Sequence, residues 1–273
     1  LFEMESRFDL NAFQRLFSNR HDKRKDLVFM ARTAESAERY EDMCQFMKEL
    51  VSWCGHQATP QVLTVEERNL LSVAYKNVIG TRRSSWRTLN LETDSKIDDT
   101  LLAAYKKQVK DELKKTCEDI LNLLEKTLVP NTPENLESGE PKVFYLKMTG
   151  DYYRYLAESE TDQHHDQKAA EFYGKAYAIA KERLKPTHPI RLGLALNYSV
   201  CFYEILKQKE KACTLAKEAF DEAISKLDKL DEPDYKDSTL IMQLLRDNLT
   251  LWTSSDDAGG DHVQVEDVSD DEQ

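Results

Sequence analysis

The sequence predicts an all-α protein of about nine antiparallel helices packed as one array, and three observations carry that reading. Apolar side chains recur at three- and four-residue steps almost throughout the chain. Eight glycines and seven prolines are few for 273 residues, whereas Lys, Glu, Leu and Ala are plentiful. The breaks between periodic stretches are short, which folds each helix back against its predecessor.

Taken in order, residues 1–21 stand apart. Phe8, Leu10, Phe13, Leu16 and Phe17 have helical spacing, so this N-terminal extension reads as a short extra helix docking on the body. A partner-binding arm or an expression remnant stays open as an alternative. The main body, 22–255, carries helices expected at 23–38, 40–54, 65–89, 97–128, 142–158, 164–184, 189–206, 209–229 and 235–253. Pro60 closes the first inter-helix break, and Pro130, Pro133 and Pro141 mark a longer loop. Residues 158–163, the Pro186–Pro189 stretch and 231–234 supply the later breaks. The tail, 256–273, holds eight acidic side chains, no Lys or Arg and no aromatic residue, and reads as disordered.

Charge and composition exclude several classes. Removing the tail changes the net charge from −12 to about −4, so the body is only mildly acidic and general nucleic-acid binding is disfavoured. No apolar run approaches the length of a membrane span. The first residues lack the basic-then-apolar pattern of a secretory signal. Five scattered cysteines (Cys44, Cys54, Cys117, Cys201, Cys213) form no CxxC pair, which argues against a disulfide framework or zinc site and for a reducing cytosol. The six histidines sit mostly at loops or chain ends, and the HExxH, GxSxG and phosphate-loop glycine patterns do not occur. An enzyme is therefore the weakest reading; no metal and no cofactor is implied.

Four helices carry polar residues set into apolar or cationic stripes. Lys76 and Arg83 are seven apart, two turns along one face. Lys147, Asp151, Arg154, Tyr155 and Glu158 follow at steps of four, three, one and three. Gly193, Leu196, Asn197, Val200 and Glu204 align on a third helix. On the last helix Asn248 shares a face with Ile241, Leu244, Leu251 and Trp252. Set around one hollow, two cations and a phenol can surround a phosphate with charge-assisted hydrogen bonds. The two amides can pair with the main chain of an extended peptide, and the aliphatic residues can take its side chains. Each stripe alone also fits a solvated or ion-paired helix face, and Asn248 also fits an amide satisfied within its own core.

At these residues a resemblance enters. Arg68-Asn-Leu-Leu-Ser-Val-Ala-Tyr-Lys-Asn-Val-Ile-Gly80 with Arg82-Arg-Ser-Ser-Trp86, and the block from Tyr235 to Ser254, resemble the two signatures of the 14-3-3 family. Phe144-Tyr-Leu-Lys-Met, Gly150-Asp-Tyr-Tyr-Arg-Tyr-Leu-Ala-Glu158 and Pro186-Thr-His-Pro-Ile-Arg-Leu-Gly-Leu-Ala-Leu-Asn197 are similar to it as well, and the likeness runs from about Asp22 to Ser255. It implies a nine-helix concave fold with an amphipathic groove, usually dimeric, that binds phosphoserine or phosphothreonine motifs of partner proteins. Carried over by position, Lys76, Arg83, Arg154 and Tyr155 would hold the phosphate, and Asn197 and Asn248 the peptide backbone. Leu196, Val200, Leu244 and Trp252 would form the apolar wall, Glu204 would bond to Trp252 or the peptide, Lys147 would join the peptide contacts, and Asp151 would orient the basic cluster. All these positions carry the family's residue types.

The departures fall on the dimer seam. Thr33 stands where the family has an apolar residue, Gln108 where it has lysine, and Lys115 where it has an acid, while Arg39, Glu112 and Asp42 remain. Exposed ion pairs contribute only about 0–1 kcal/mol each, so these changes weaken a homo- or heterodimer without removing it. The chain is also longer by about 21 residues at its start and in the loops around 54–65 and 130–141.

The leading expectation is thus a cytoplasmic (also nuclear) non-catalytic adaptor whose partners are phosphorylated proteins or peptides. A tetratricopeptide-like scaffold for unmodified peptides is the alternative, although no 34-residue recurrence is found. Ser85, near the implied seam, and Ser269, before an acidic run, are candidate phosphorylation switches.

Overall fold

A computed structural model describes residues 22–59, 61–91, 99–133, 139–160, 163–227 and 232–254. The expectations for 1–21, for the acidic tail and for Ser269 lie outside the described residues. Among these residues the protein is all-α, with nine main helices close to the expected positions. The chain divides into two compact units, residues 1–131 and 132–273.

The first unit holds α1 (Lys23–Ser36), α2 (Tyr40–Gly55), α3 (Val65–Leu91) and α4 (Asp99–Leu123). Asp22 caps α1 by accepting the Lys25 amide, and Leu27, Ala31 and Ala34 form its buried stripe. That helix stops at Ser36, before the predicted 38, because Glu38 turns left-handed (φ 53°) and Arg39 N bonds back to Ala34 O. Against α1 packs α2, through Met43, Phe46, Met47, Leu50, Val51 and Cys54 at helical spacing. The α3 entrance is a reciprocal cap: Thr64 N donates to Glu67 Oε2 at 2.8 Å while Glu67 N donates to Thr64 Oγ1 at 3.2 Å. Arg24 of α1 reaches the same Glu67 with two nitrogens at 2.6 and 2.7 Å, and also bonds Gln61 Oε1 and Val62 O. One guanidinium therefore ties α1 to the α2–α3 connection. Beyond Leu123, α4 passes through a wide π turn, Leu124–Leu128, with Val129 N bonded to Leu124 O, and closes at Asn131.

The second unit holds α5 (Glu140–Ser159), α6 (Gln163–Arg183), α7 (Pro189–Val200), α8 (Lys209–Ile224) and α9 (Glu232–Ser254). Its α5 opens behind Gly139 (φ 62°), where a side chain would be strained and would meet Arg183 Cδ at 2.7 Å. Buried residues run almost all round α5 and α7, so both are interior helices. His188 Nδ1 caps α7 by accepting the Ile190 amide, with Pro189 in the first position. After Val200 a second π turn, Cys201–Ile205, leads to Lys207 in the left-handed region (φ 54°). On α8, Ala212, Ala216, Ala219 and Ala223 present small side chains to a core with Leu196, Val200, Ile241, Leu245 and Trp252. The α8 end falls at Ile224, where the amides of Ser225 and Lys226 turn back to Asp221 and Ala223, short of the expected 229. Its neighbour α9 begins at Glu232 rather than 235.

Candidate functional site

Within the second unit, three helices bring cations, a carboxylate, a phenol and an amide together. Lys147, Asp151 and Arg154 lie on one stripe of α5, spaced by four and three. Asp151 is the hub. Its Oδ2 accepts Lys147 Nζ at 3.1 Å, and its Oδ1 accepts Asn197 Nδ2 of α7 at 2.8 Å and the Tyr173 hydroxyl of α6 in a short contact. Arg154 Nη2 approaches the same oxygen at 3.5 Å, and Nη1 stands 3.6 Å from Glu158. Arg154 Nε donates to the Tyr173 oxygen at 3.0 Å. Lys147 and Arg154 are 2% and 1% exposed. Ionised groups at that depth persist only when paired and hydrogen-bonded.

Packing explains how the cluster forms. Gly193 of α7 lies beside the Lys147 chain, where an added Cβ would make an ordinary contact with Cε at 3.8 Å. Tyr155 places its ring 4.9 Å from the Arg154 guanidinium carbon, a cation–π contact, and meets Tyr152 edge-on at 5.6 Å. A carboxylate can only accept, so Asn197 turns its NH₂ to Asp151 and its carbonyl oxygen the other way. Burial raises the Tyr173 hydroxyl well above its ordinary pKa. Burial likewise pushes the nearby Cys201 thiol up to about 12, against the pull of Arg154. Both stay protonated across the working pH range.

The other residues singled out in the sequence fall as follows. Leu196, Val200 and Trp252 are fully buried in the α7–α8–α9 core, with the indole stacked on Tyr203 at 4.9 Å. Leu244 is half-buried against that core, and Asn248 is buried on α9. Glu204 is half-buried in the second π turn. Lys76 and Arg83 belong to the first unit, half-buried two turns apart on α3. Ser85 is exposed and bonds Thr81 O. Around the implied seam, Asp42 accepts Arg39 Nε at 2.5 Å within the chain, and Glu112 faces Gln108 Nε2 at 3.3 Å and Arg82 Nε at 3.8 Å. Thr33 is exposed and bonds Phe29 O. All five cysteines are free. Among the described residues no group of three His, Cys, Asp or Glu is placed to hold a metal, and no helix is long and apolar enough to cross a membrane.

Sequence reasoning missed Tyr173. A signal existed: Ala169, Tyr173, Ala176 and Ala180 form one buried stripe of α6, and the single phenol in an alanine row must find a polar partner.

Taken chemically, the cluster is a buried arrangement of charge-assisted donors beside a side-chain amide, carried on three helices. Residues 30–253 match the model of the 14-3-3 protein family. The chain is 57% identical over 240 residues to the checkpoint signal transducer rad24 of Schizosaccharomyces pombe, covering 85% of each. It is 52% identical over 258 residues to 14-3-3 protein I of Plasmodium falciparum, covering 91% of this chain and 95% of that one. It is also 54% identical over 240 residues to 14-3-3-like protein 2 of Caenorhabditis elegans, covering 85% and 93%. The chain belongs to the 14-3-3 family. It is accordingly an adaptor with protein partners, not an enzyme.

Proposed function

We propose that this adaptor binds phosphoserine or phosphothreonine segments of partner proteins. The observation that supports the reading is the Asp151-centred cluster, which pairs Lys147 and Arg154 with one carboxylate and attaches the Asn197 amide to it. Anchored cations of this kind bind a phosphate more strongly than solvated ones, because their geometry is set before the ligand arrives. Lys76, Arg83 and Tyr155 join as phosphate contacts, and Asn248, Leu196, Val200, Leu244, Trp252 and Glu204 as peptide contacts, on the strength of the family likeness. Dimerisation through a seam including Thr33, Arg39, Asp42, Gln108 and Glu112, a cytoplasmic location, and disruption of that seam by phosphorylation at Ser85 complete the proposal. A dimer holding two phosphosites on one client raises avidity by about 10²–10⁴-fold.

The test is a fluorescence-polarisation titration of a phosphoserine peptide and its unphosphorylated twin. The phosphorylated form should bind far more tightly, and Arg154→Ala or Lys76→Ala should weaken it about ten- to a hundredfold. Equal affinity for the two peptides would refute the proposal. Sedimentation at micromolar concentration reads the dimer, and a mass unchanged by Ser85→Glu would remove the switch.

A further inference from the structure

Tyr173 is 0% exposed, and its ring is gripped from two helices. On one side Gly150 of α5 supplies a notch: an added Cβ there would come within 2.8–2.9 Å of three ring carbons. On the other, the Tyr198 ring stacks on it at 5.5 Å and continues to Phe202 at 4.5 Å. The ring therefore has one placement, and its hydroxyl one position, between Asp151 Oδ1 and Arg154 Nε. The direction of each bond is forced. A carboxylate oxygen accepts, an arginine Nε–H donates, and the phenol has one proton and lone pairs to offer. Its proton goes to Asp151 and a lone pair to Arg154.

The Nε–H bond lies in the guanidinium plane, so holding it fixes that plane about the Cδ–Nε bond. The 3.0 Å bond from Nε to the phenol is shorter than the 3.5 and 3.6 Å approaches of Asp151 and Glu158 to the terminal nitrogens. We infer that Tyr173 is the positioning residue of the proposed phosphate site: its hydroxyl links Asp151 to Arg154 Nε and sets the plane in which the arginine fork meets the ligand. The inference rests on the phosphopeptide reading above and adds to it a residue that does not touch the ligand.

The test uses the full chain and two readouts. In ¹⁵N-labelled protein, the Arg154 Nε–H signal, assigned by its loss in Arg154→Lys, should exchange with solvent far more slowly than that of exposed Arg32. In Tyr173→Phe, which keeps the ring, that protection should disappear and the phosphoserine peptide should bind about tenfold more weakly. Tyr198→Phe, which takes a hydroxyl from the same aromatic column, should change affinity less than twofold. A Tyr173→Phe protein that melts earlier yet keeps its affinity has lost only a structural bond, and overturns the inference. So does rapid exchange of Arg154 Nε–H in the unaltered protein, a measurement that decides the matter should Tyr173→Phe not fold. A wild-type chain indifferent to phosphorylation defeats the functional reading instead, an outcome read from the wild-type titration alone.

Discussion

Arg24 and Arg154 are both ion-paired arginines, one in each compact unit, and they are held in opposite ways. Arg24 keeps a side chain about a quarter exposed, yet its fork closes on both oxygens of Glu67 at 2.6–2.7 Å, with Gln61 and Val62 as further acceptors. Arg154 is buried, yet Asp151 and Glu158 stand at 3.5–3.6 Å while a neutral phenol accepts its Nε at 3.0 Å. A bidentate carboxylate at hydrogen-bond distance makes a fastener, since two parallel charge-assisted bonds fix the fork on it. A cation steadied by a phenol, with its acids at longer range, is oriented without being clamped. The contrast separates arginine as a tie between segments from arginine held at depth by a neutral partner.

The largest expected effect lies on the Arg154 side. Gly150→Ala drives a methyl into the Tyr173 ring, and overpacking of this kind costs about 1–3 kcal/mol. A thermal melt should show a drop of roughly 4–10 °C, with weakened phosphopeptide binding because the phenol is displaced. An unchanged melt would mean that the α5–α6 contact is looser than described.

Next comes the fastener. Glu67→Gln leaves Arg24 without its charge partner and should cost about 2 kcal/mol near neutral pH, with no change in peptide affinity. Burial alone would raise the Glu67 pKa, but bonds from Arg24 and Thr64 hold it below the usual carboxylate value. A depressed native pKa gives stability that is fully present above the unfolded value, about 4.3, and is lost as pH falls through the native one. The gap between wild type and Glu67→Gln should therefore be constant from pH 6 to 8 and narrow below about pH 4. A gap that persists in acid would show that shape, not charge, carries the contact.

The finest test exchanges the two arginines for lysines. Arg154→Lys keeps the charge and loses the fork, so phosphopeptide affinity should fall about tenfold, or 1.4 kcal/mol, with little change in melting. Arg24→Lys should do the reverse, lowering the melt by a few degrees and leaving affinity alone. Matching effects from both would erase the distinction between the two sites.

Most of the fold was legible because helical periodicity and breaker residues act locally. Pro141 and Pro189 sit at the starts of α5 and α7 as a chain with no N–H to spare dictates. What was not legible depends on contacts between helices. The stripe rule put Lys147, Asp151 and Arg154 on one face but could not say that Tyr173, 22 residues beyond Asp151, would complete it. Nor could it foresee that Leu196, Val200 and Trp252 lie in a core with the alanines of α8, since burial of a stripe depends on what packs over it. The same rule ran past the helix ends at Ser36 and Ile224, where left-handed or turning backbone overrode continuing apolar spacing.

The wide turn at Cys201–Ile205, where Leu206 N reaches back to Cys201 O, has a consequence for anyone reading faces from sequence. A five-residue loop of backbone winds more slowly than its neighbours, so the compass bearing of each later side chain lags behind the count. The step of four from Val200 to Glu204 runs into this wide turn. A pattern drawn across this joint must be re-zeroed there.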